Sequence, residues 1–451
     1  MQYITPKHGP SRVSMYNKTF LKYRDITVSR DLLIALAELH YPGNNEPVAS
    51  TMVMHPTPET IIKIASCWLK KIPFVAVPPD ASEPVLERAQ KLVESQQTGN
   101  TTDDQGIFCY VFTSGTTGTP KIVPVGREQV RAAVASSSHS IQPAPGQLWV
   151  LTLPLHHIGG ISIVMRALLG DFGVWLTDDR SPGAIGQHIQ ADTQCGVVSL
   201  VPTQLQRVLP HLSSQPHREF QGVLLGGGPL MAETIQQCRA IGLPVYPSFG
   251  MSETTAQCLA VPPDLVEGAP AGTCGMPLPG VEATLRPDPD APDLQLLWVR
   301  GEQVFSGYAN SGEALFDHEG WFCTGDYARR DENGYYFIEM RRTDRIVTGG
   351  ENVNPVEVEQ ALAASGLLSK HFAVAGVPDP EWGQRVVLAV CNQQAPAPDD
   401  IHQALQQLER FKHPKQVIQV DHIPGSESGK INRRSLAELL ARKMIPDPDS
   451  I

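Results

Sequence analysis

The sequence predicts an α/β protein with a large N-terminal domain of helix-layered parallel sheets, a small antiparallel, β-barrel-like portion and a small C-terminal α+β domain. Between about residues 48 and 255, short apolar runs alternate with helical patterns. After about residue 270, proline-rich turns separate short strands. With 451 residues, the chain is also longer than one hydrophobic core usually supports.

The N-terminal half begins this alternation with a strand predicted at 48–54. Thr57 and Pro58 then supply a helix N-cap and a proline in the first turn. Further strands are predicted at 147–154, 197–201 and 222–225. Thr203 is predicted to cap the helix that follows the second of these. Strands and helices in this order favour βαβ units, whose ligands bind beyond the carboxyl ends of the strands.

The C-terminal part changes character. Strands at 295–300 and 334–339 lie among proline-rich turns and predict antiparallel pairing. A small final domain is predicted to begin near Arg341. Its helix is indicated by Asn354 as N-cap, Pro355 after it, and Glu357 three residues on, as in a capping box.

Composition excludes several protein classes. The formal net charge of −11 argues against a general nucleic-acid binder, which needs clustered basic residues. The eight cysteines have neither zinc-ligand nor secreted-disulfide spacing, which predicts reduced thiols. No apolar run is long enough to cross a bilayer. The basic N-terminus lacks the apolar core of a secretion signal, so we expect a cytoplasmic protein, with an organelle-targeting segment as the alternative.

A glycine- and hydroxyl-rich segment, TSGTTGTPK, follows the apolar run 107–112. Its glycines let backbone amides approach a phosphate, its hydroxyls add donors and its lysine adds positive charge. It is not a Walker A loop. Taken alone, the string fits a surface turn as well as a phosphate-binding loop. The candidate phosphate-binding residues are Thr113, Ser114, Gly115, Thr116, Thr117, Gly118 and Lys121.

Four further motifs follow in order: FGMSET at 249–254, CTGD at 323–326, RRTDRIVTGGENVNP at 341–355 and SGKINR at 428–433. With the first segment, they resemble the adenylate-forming superfamily of acyl-CoA synthetases, luciferases and peptide-synthetase adenylation domains. The resemblance runs from about residue 48 to 440. It implies ATP, Mg²⁺ and coenzyme A as cofactor and co-substrates, and an acyl-adenylate intermediate. It also implies an ATP- and acyl-binding domain at 1–340 and a small mobile domain at 341–451 that carries the catalytic lysine.

The resemblance gives each motif residue a role. Glu253 would hold Mg²⁺ and Ser252 would contact the nucleotide phosphate. Asp326 and Arg341 would lie at the ribose, and Lys430 would bridge carboxylate and phosphate during adenylation. The adenine would be lined by Gly227, Gly228 and Pro229. Singly, each residue has a plainer explanation as a turn or solvated residue, but the shared motifs favour the functional one.

In the resembled family, the small domain rotates between the two half-reactions. The hinge position falls at Thr343 or Asp344, and many relatives have Asp in place of Thr343. Rotation would withdraw Lys430 and bring Gly349 and Gly350 to the site, where absent side chains leave a channel for pantetheine. The phosphate-binding segment also starts earlier than in the family, so a shortened N-terminal subdomain is expected.

The segment LPLHHIGGISIVMR at 153–166 resembles the lining of the acyl pocket in acyl-CoA ligases. His157, before an expected Gly-Gly turn, would be a catalytic or pocket residue; the alternative is a core imidazole. Arg166 follows apolar neighbours on a predicted helix, where a buried cation needs an anion. The second carboxylate of a dicarboxylic substrate would supply it. The alternative for Arg166 is an exposed helix residue.

With SLVPTQL at 199–205, LLGGGPL and FGMSETTAQ, this segment is most similar to the o-succinylbenzoate–CoA ligases of menaquinone and phylloquinone biosynthesis. Ser199, Thr203, Gly250 and Thr254 would then lie near the acyl group, and Thr254 near the nucleotide as well. Three alternatives stay open: another aryl- or fatty acyl-CoA ligase, an enzyme loading a separate carrier protein, or a catalytically inactive scaffold. The expected partners are a small acid, ATP and CoA, without nucleic acid or a membrane span, in a homo-oligomer or a monomer.

Overall fold

The computed structural model describes residues 18–40, 50–97, 106–113, 121–228, 231–310, 315–368, 371–391, 394–425 and 431–444. The chain divides into two compact units. The first is drawn from Met1–Gly227, Ala232–Ala283 and Val299–Phe322, and the second from Gly228–Met231, Thr284–Trp298 and Cys323–Ile451. The mobile-domain boundary at residue 341 stays a prediction.

The first unit contains two sheets and the helices that cover them. Its strands are β1 (Thr19–Tyr23), β2 (Ile26–Ser29), β3 (Ser50–Val53), β4 (Phe74–Val77), β5 (Ile107–Thr113), β6 (Lys121–Gly126), β7 (Leu148–Leu151), β8 (Gly173–Leu176), β9 (Cys195–Leu200), β10 (Gly222–Leu225), β11 (Val245–Met251), β12 (Ala256–Ala260) and β13 (Met276–Pro277). Its helices are α1 (Arg30–His40), α2 (Pro58–Lys70), α3 (Glu83–Gln97), α4 (Arg127–Ser137), α5 (Ile158–Leu169), α6 (Pro182–Ala191), α7 (Pro202–Val208) and α8 (Ala232–Ala240).

The larger sheet has nine strands in the order β13-β12-β11-β10-β9-β7-β8-β1-β2. Its central run from β11 to β1 is parallel, and β12, β13 and β2 pair antiparallel at its edges. The smaller sheet, β3-β4-β5-β6, is parallel except for β6. Every residue of β7 and β9 is buried, as expected of parallel strands covered on both faces. The predicted βαβ arrangement is confirmed.

Local capping explains where two of these helices begin. The Thr57 hydroxyl accepts a hydrogen bond from Thr60 N at 3.3 Å, which confirms the predicted N-cap of α2. The predicted cap at Thr203 is wrong, because α7 already begins at Pro202 with Val201 as its N-cap. Proline has its φ preset for the first helical position and needs no N–H partner there.

The remaining strands are β14 (Val281–Asp288), β15 (Ala291–Gly301), β16 (Phe322–Arg330), β17 (Tyr336–Arg341), β18 (Ile346–Thr348), β19 (Glu351–Val353), β20 (Phe372–Asp379), β21 (Gly383–Cys391) and β22 (Gln416–Val420). Three helices accompany them: α9 (Pro355–Ala364), α10 (Pro398–Ala404) and α11 (Arg433–Met444). One sheet has the order β14-β15-β16-β17, and β16 pairs antiparallel with β17, as predicted after residue 270. In the other, β19-β18-β21-β20 is extended by β22, which pairs parallel with β21.

The five-stranded sheet separates two apolar clusters. One contains Val374 and Leu388 with residues of α9 and α10, and the other contains Val387 and Ala389 with residues of α11. Asn354 caps α9 as predicted, since its side chain accepts a hydrogen bond from Val356 N at 2.9 Å. Glu357 pairs instead with Lys412 Nζ at 2.9 Å.

All eight cysteines are free thiols, and seven are buried, in agreement with the predicted reduced state. Across the helices that the structure describes, none combines the length and apolar character needed to span a bilayer.

Candidate active site

A hairpin holds the ends of the predicted phosphate-binding segment. Strand β5 ends at Thr113 and β6 begins at Lys121, and these two residues are register partners. The strand leading in is almost entirely buried, which anchors the hairpin in the smaller sheet. The predicted residues Ser114, Gly115, Thr116, Thr117 and Gly118 lie between them, outside the described residues. Their contact with phosphate stays a prediction.

Three predicted site segments follow neighbouring parallel strands. Thr203 lies in α7 after β9, Gly227 follows β10, and Ser252 follows β11. Because parallel strands end at the same edge of their sheet, these segments share one side of the first unit. Gly227 has a φ of +80°, a conformation that glycine adopts without strain. Pro229 lies outside the described residues, and Gly228 is the last residue described before it.

The motif after β11 forms a 3₁₀ turn, Ser252–Thr254. Glu253 is only 6% exposed, and its Oε1 accepts a hydrogen bond from the Tyr308 hydroxyl at 2.7 Å. Thr254 is fully buried; its Oγ1 donates to Ala256 O at 2.7 Å and accepts from Met251 N at 3.0 Å. Thr254 therefore shapes the turn, and its predicted ligand contacts stay predictions.

Glu253 fits a magnesium site in which substrate phosphates supply some of the metal ligands. Proteins usually hold Mg²⁺ with one or two carboxylates, several waters and the substrate phosphates. Within the described ranges, no group of three or more His, Cys, Asp or Glu side chains could hold a metal. Glu253 would hold Mg²⁺ as a single carboxylate ligand, with nucleotide oxygens and water as the others.

The two predicted ribose contacts are cross-strand partners. Asp326 on β16 lies opposite Arg341 on β17, and Asp326 Oδ1 is 3.1 Å from Arg341 Nε. The Asp326 side chain is 5% exposed and that of Arg341 is 34% exposed. The sheet therefore brings these residues together from separate motifs, although their contact with ribose is untested.

The predicted hinge lies beside an ion cluster formed around a buried carboxylate. Thr343 and Asp344 belong to a 3₁₀ turn, Arg342–Asp344. Arg342 Nε lies 2.9 Å from a carboxylate oxygen of Asp288, and Arg345 Nη1 lies 3.9 Å from the same oxygen. Asp288 is fully buried and also accepts a hydrogen bond from the Tyr327 hydroxyl. Sequence reasoning missed Asp288 because it stands in a proline-rich stretch typical of exposed turns.

Lys430 lies outside the described residues, but α11 begins three residues later at Arg433. The Arg433 guanidinium donates to both carboxylate oxygens of Glu359, at 2.6 and 2.8 Å, and to Val374 O at 2.6 Å. Asp344 Oδ2 is 3.7 Å from Arg433 Nε. Arg433 was not predicted as a site residue. Its place in the SGKINR motif is the feature of the sequence that could have indicated it.

The predicted pantetheine glycines form the two-residue turn between β18 and β19. Gly349 and Gly350 have φ values of +59° and +87°, which favour glycine in a tight hairpin. A Cβ on Gly349 would also lie 2.8 Å from the Trp382 ring. The turn thus requires these glycines, and their predicted role in a CoA channel remains a prediction.

His157 is the N-cap residue of α5 and is half-buried. The expected Gly-Gly turn is wrong, because Gly159 and Gly160 lie in the first turn of the helix. Gly160 is needed there, since a Cβ would come within 2.2 Å of Pro154 O. The rings of His157 and His156 are in contact at a tilt of 53°, with centroids 4.3 Å apart, and burial lowers the pKa of His156.

Arg166 is buried, with 7% of its surface exposed, so the exposed alternative is wrong. Its Nη2 donates to Gln257 Oε1 at 3.1 Å, and its Cζ lies 5.3 Å from the Trp149 ring centroid. Among the residues that the structure describes, no carboxylate forms an ion pair with it. Burial lowers the pKa of Arg166 to about 10. Arg166 is therefore a desolvated cation that has no anionic partner among the described residues.

Arg166 also lines a cleft between α4 and α5. The cleft is mainly apolar and Arg166 is its charged lining residue; the others are Val130, Ala133, Val134, Ile158, Ile161, Ser162, Met165 and Thr255. An apolar lining with one guanidinium is chemically complementary to an organic anion.

The remaining predicted acyl-pocket residues have structural contacts. The Ser199 hydroxyl accepts a hydrogen bond from Trp149 Nε1 at 2.9 Å. Gly250 is required by packing, because a Cβ would lie 2.0 Å from Ala256 O. Gln257, which was not predicted, links Arg166 to Ser140 through a 3.2 Å hydrogen bond from its Nε2 to the serine Oγ. Gln257 is the last residue of the FGMSETTAQ string, and this position is the feature of the sequence that could have indicated its role.

Two protein-family models match this chain. The model of the AMP-binding enzyme matches residues 46–309, and that of the AMP-binding enzyme C-terminal domain matches 357–430. The chain belongs to the AMP-binding enzyme family. The resemblance to the adenylate-forming superfamily is confirmed. The first model spans the hairpin at Lys121, the Glu253 turn and Arg166, so these residues lie within the matched region of this AMP-binding enzyme.

Curated relatives of this AMP-binding enzyme include the 2-succinylbenzoate–CoA ligase of Enterococcus faecalis. It is 31% identical over 408 residues, which cover 88% of this chain and 80% of the relative. The ligase of the same name from Listeria monocytogenes is 32% identical over 332 residues, covering 73% of this chain and 69% of the relative.

Solved structures share the fold of this AMP-binding enzyme. The o-succinylbenzoate CoA synthetase of Bacillus subtilis, in complex with the acyl-adenylate intermediate, has a TM-score of 0.79 at 23% identity. That alignment covers 93% of this chain and 95% of the other. ATP-bound MatB from Rhodopseudomonas palustris has a TM-score of 0.80 at 22% identity, covering 95% and 97% of the two chains. The predicted adenylate-forming fold is confirmed.

Proposed function

We propose that this AMP-binding enzyme is an ATP-dependent acid–CoA ligase that converts o-succinylbenzoate to its CoA thioester through an acyl-adenylate. The observation that carries the choice of acid is Arg166, a buried guanidinium with no carboxylate partner among the described residues. The names of the curated relatives support the same choice. We place the reaction in the cytoplasm and in menaquinone or phylloquinone biosynthesis.

The reaction has two steps that balance without an external oxidant or reductant. The succinyl carboxylate attacks the α-phosphorus of ATP, the bond to pyrophosphate breaks, and a mixed anhydride forms. The CoA thiolate then attacks the acyl carbon and AMP leaves. Because negative charge develops on the phosphate, the first step needs preorganised donors and cations. Bound Mg²⁺ would neutralise part of the phosphate charge.

The residues divide this task by position. Lys121 and the segment before it would bind the phosphates, with Ser252 as a further contact, and Asp326 with Arg341 would orient the ribose. Lys430 would bridge the reacting carboxylate and phosphate. Arg166 would hold the ring carboxylate that does not react, and Gln257 would hold the guanidinium in place. Binding energy from that remote carboxylate would orient the reacting one.

The test is thioester formation with ATP and CoA across four acids, with pyrophosphate release measured in parallel. The acids are o-succinylbenzoate, β-benzoylpropionate, benzoate and a medium-chain fatty acid. The informative pair is the first two, because β-benzoylpropionate lacks only the ring carboxylate. We expect o-succinylbenzoate to have a kcat/KM at least about thirtyfold higher, as one charge-assisted contact provides.

Other outcomes would redirect the proposal. Pyrophosphate release with benzoate or a fatty acid, but not o-succinylbenzoate, would indicate another aryl- or fatty acyl-CoA ligase. Adenylate formation without thioester would indicate a separate carrier protein as acceptor. The absence of pyrophosphate release with every acid would contradict the ligase assignment.

A further inference from the structure

Residues 305–310, which we call the bridging segment, contact the turn that contains Glu253 in two ways. Phe305 N donates a hydrogen bond to Glu253 O at 2.8 Å. The Tyr308 hydroxyl donates to Glu253 Oε1 at 2.7 Å. The main chain and the side chain of Glu253 are therefore both bonded to this short segment.

The bridging segment also binds the beginning of β6, directly after the predicted phosphate-binding segment. Ala309 N donates to Ile122 O, and Ile122 N donates to Asn310 Oδ1, each at 2.9 Å. Beside them, Lys121 Nζ lies 4.5 Å from the centroid of the Tyr308 ring. An ammonium at this distance is attracted to the negative face of an aromatic ring.

Tyr308 thus contacts two separate groups with different parts of one side chain. Its hydroxyl bonds the Glu253 carboxylate, and its ring lies next to the Lys121 ammonium. The ring also packs edge-on against Phe305, with centroids 5.0 Å apart, which limits its rotation. Tyr308 therefore lies between an anion and a cation that are 132 residues apart in the sequence.

We propose that Tyr308 is a positioning residue for the Mg²⁺–ATP complex. Its hydroxyl occupies Oε1 of Glu253 and so turns the other carboxylate oxygen toward the metal, while its ring aims Lys121 at the phosphates. This inference rests on the proposed function, because it needs Glu253 to bind Mg²⁺. Hydrogen bonds to metal-ligating carboxylates commonly change metal affinity by about 10- to 100-fold.

The first variant is Tyr308→Phe, which removes the hydroxyl and keeps the ring beside Lys121 and Phe305. The readout is ATP binding by isothermal titration calorimetry over a range of Mg²⁺ concentrations, without acid or CoA. We expect the half-saturating Mg²⁺ concentration to rise about tenfold, with ATP affinity at saturating Mg²⁺ nearly unchanged. Tyr308→Leu removes the ring too and should weaken ATP binding even at saturating Mg²⁺.

The matched control is Tyr23→Phe, which removes a hydroxyl bonded to the carboxylate of Asp178 on another part of the first unit. Its Mg²⁺ dependence should equal that of the wild type. If Tyr308→Phe also has wild-type Mg²⁺ dependence, the positioning role is wrong while the proposed ligase function stands. If the wild-type protein itself binds no Mg²⁺–ATP, both fail. A folded Tyr308→Phe protein that loses ATP binding equally at all Mg²⁺ concentrations also overturns the role.

Discussion

Arg166 in the first unit and Arg433 in the second are both largely buried, but their surroundings differ in kind. Arg433 has a 9% exposed side chain and forms a two-point contact with the Glu359 carboxylate. Among the residues that the structure describes, the polar and aromatic partners of Arg166 are the neutral amide of Gln257 and the face of Trp149. Burial alone lowers an arginine pKa, as it does at Arg166; at Arg433 the charges of Glu359 and Asp344 outweigh burial and raise the pKa.

The difference separates a structural cation from a candidate binding cation. A buried charge with an internal partner is already compensated, so it contributes to folding and has little left to offer a ligand. A buried charge without one is unfavourable in the free protein and becomes favourable when an anion arrives. The two arginines should therefore respond in opposite ways to substitution, in stability for Arg433 and in substrate selectivity for Arg166.

The largest effect is expected from Arg433→Ala, which leaves the Glu359 carboxylate mostly buried without its cation. We expect the free energy of unfolding to fall by about 3 kcal/mol, measured by urea denaturation followed by circular dichroism. The control is Arg434→Ala, because Arg434 is exposed and pairs with Glu438 on the helix surface. That change should lower stability by less than about 0.5 kcal/mol. Equal losses in both variants would contradict the comparison.

Arg166→Met should separate selectivity from stability, since methionine fills much of the space without the charge. We expect kcat/KM for o-succinylbenzoate to fall about 30-fold, equivalent to about 2 kcal/mol, and that for β-benzoylpropionate to stay within about twofold. The free energy of unfolding should change by less than about 1 kcal/mol, because no ion pair is broken. A parallel fall for both acids would remove Arg166 from the recognition of the second carboxylate.

A smaller loss is expected from Arg166→Lys. The ammonium keeps the positive charge but lacks the planar pair of N–H donors that matches a carboxylate. We expect kcat/KM for o-succinylbenzoate to fall about fivefold, or about 1 kcal/mol. Steady-state kinetics of the lysine and methionine variants, measured side by side, would test whether the lysine variant keeps the higher kcat/KM. If lysine is as poor as methionine, geometry rather than charge dominates the contact.

The smallest effect is a pH dependence near the pKa of Arg166, about 10. Only the protonated guanidinium attracts a carboxylate, so at half a pH unit above this value the affinity for o-succinylbenzoate should fall about fourfold. The ratio of Kd values for o-succinylbenzoate and β-benzoylpropionate, measured calorimetrically, corrects for other groups. A constant ratio would contradict the assignment. Because the pKa is lower in the folded state, the unfolded state holds more protons above about 10, and this group's destabilising contribution declines there.

The strands and motifs could be predicted from the sequence because each depends on residues that are close together along the chain. Strand β10 was predicted at its observed bounds, and Asn354 and Thr57 cap the predicted helices. The errors at Thr203 and at the Gly159–Gly160 pair are also local, where a proline and a close backbone approach moved the helix starts. In these places the hydrophobic periodicity and the capping residues predicted each helix to within a few residues of its start. They could do so because a helix or strand depends mostly on residues close to it in the sequence.

The sequence by itself determined the alternation of strands and helices and the order of the family motifs, and it supplied the hypothesis that Arg166 binds a second substrate carboxylate. Tertiary structure alone decided what lies beside what: Asp288 beneath the predicted hinge, Gln257 against Arg166, Glu359 against Arg433, and Tyr308 between Glu253 and Lys121. These pairs are separated by many residues along the chain. Periodicity and propensity carry no information about them, because hydrogen bonds and ion pairs depend on distance in space, which only the packed sheets establish.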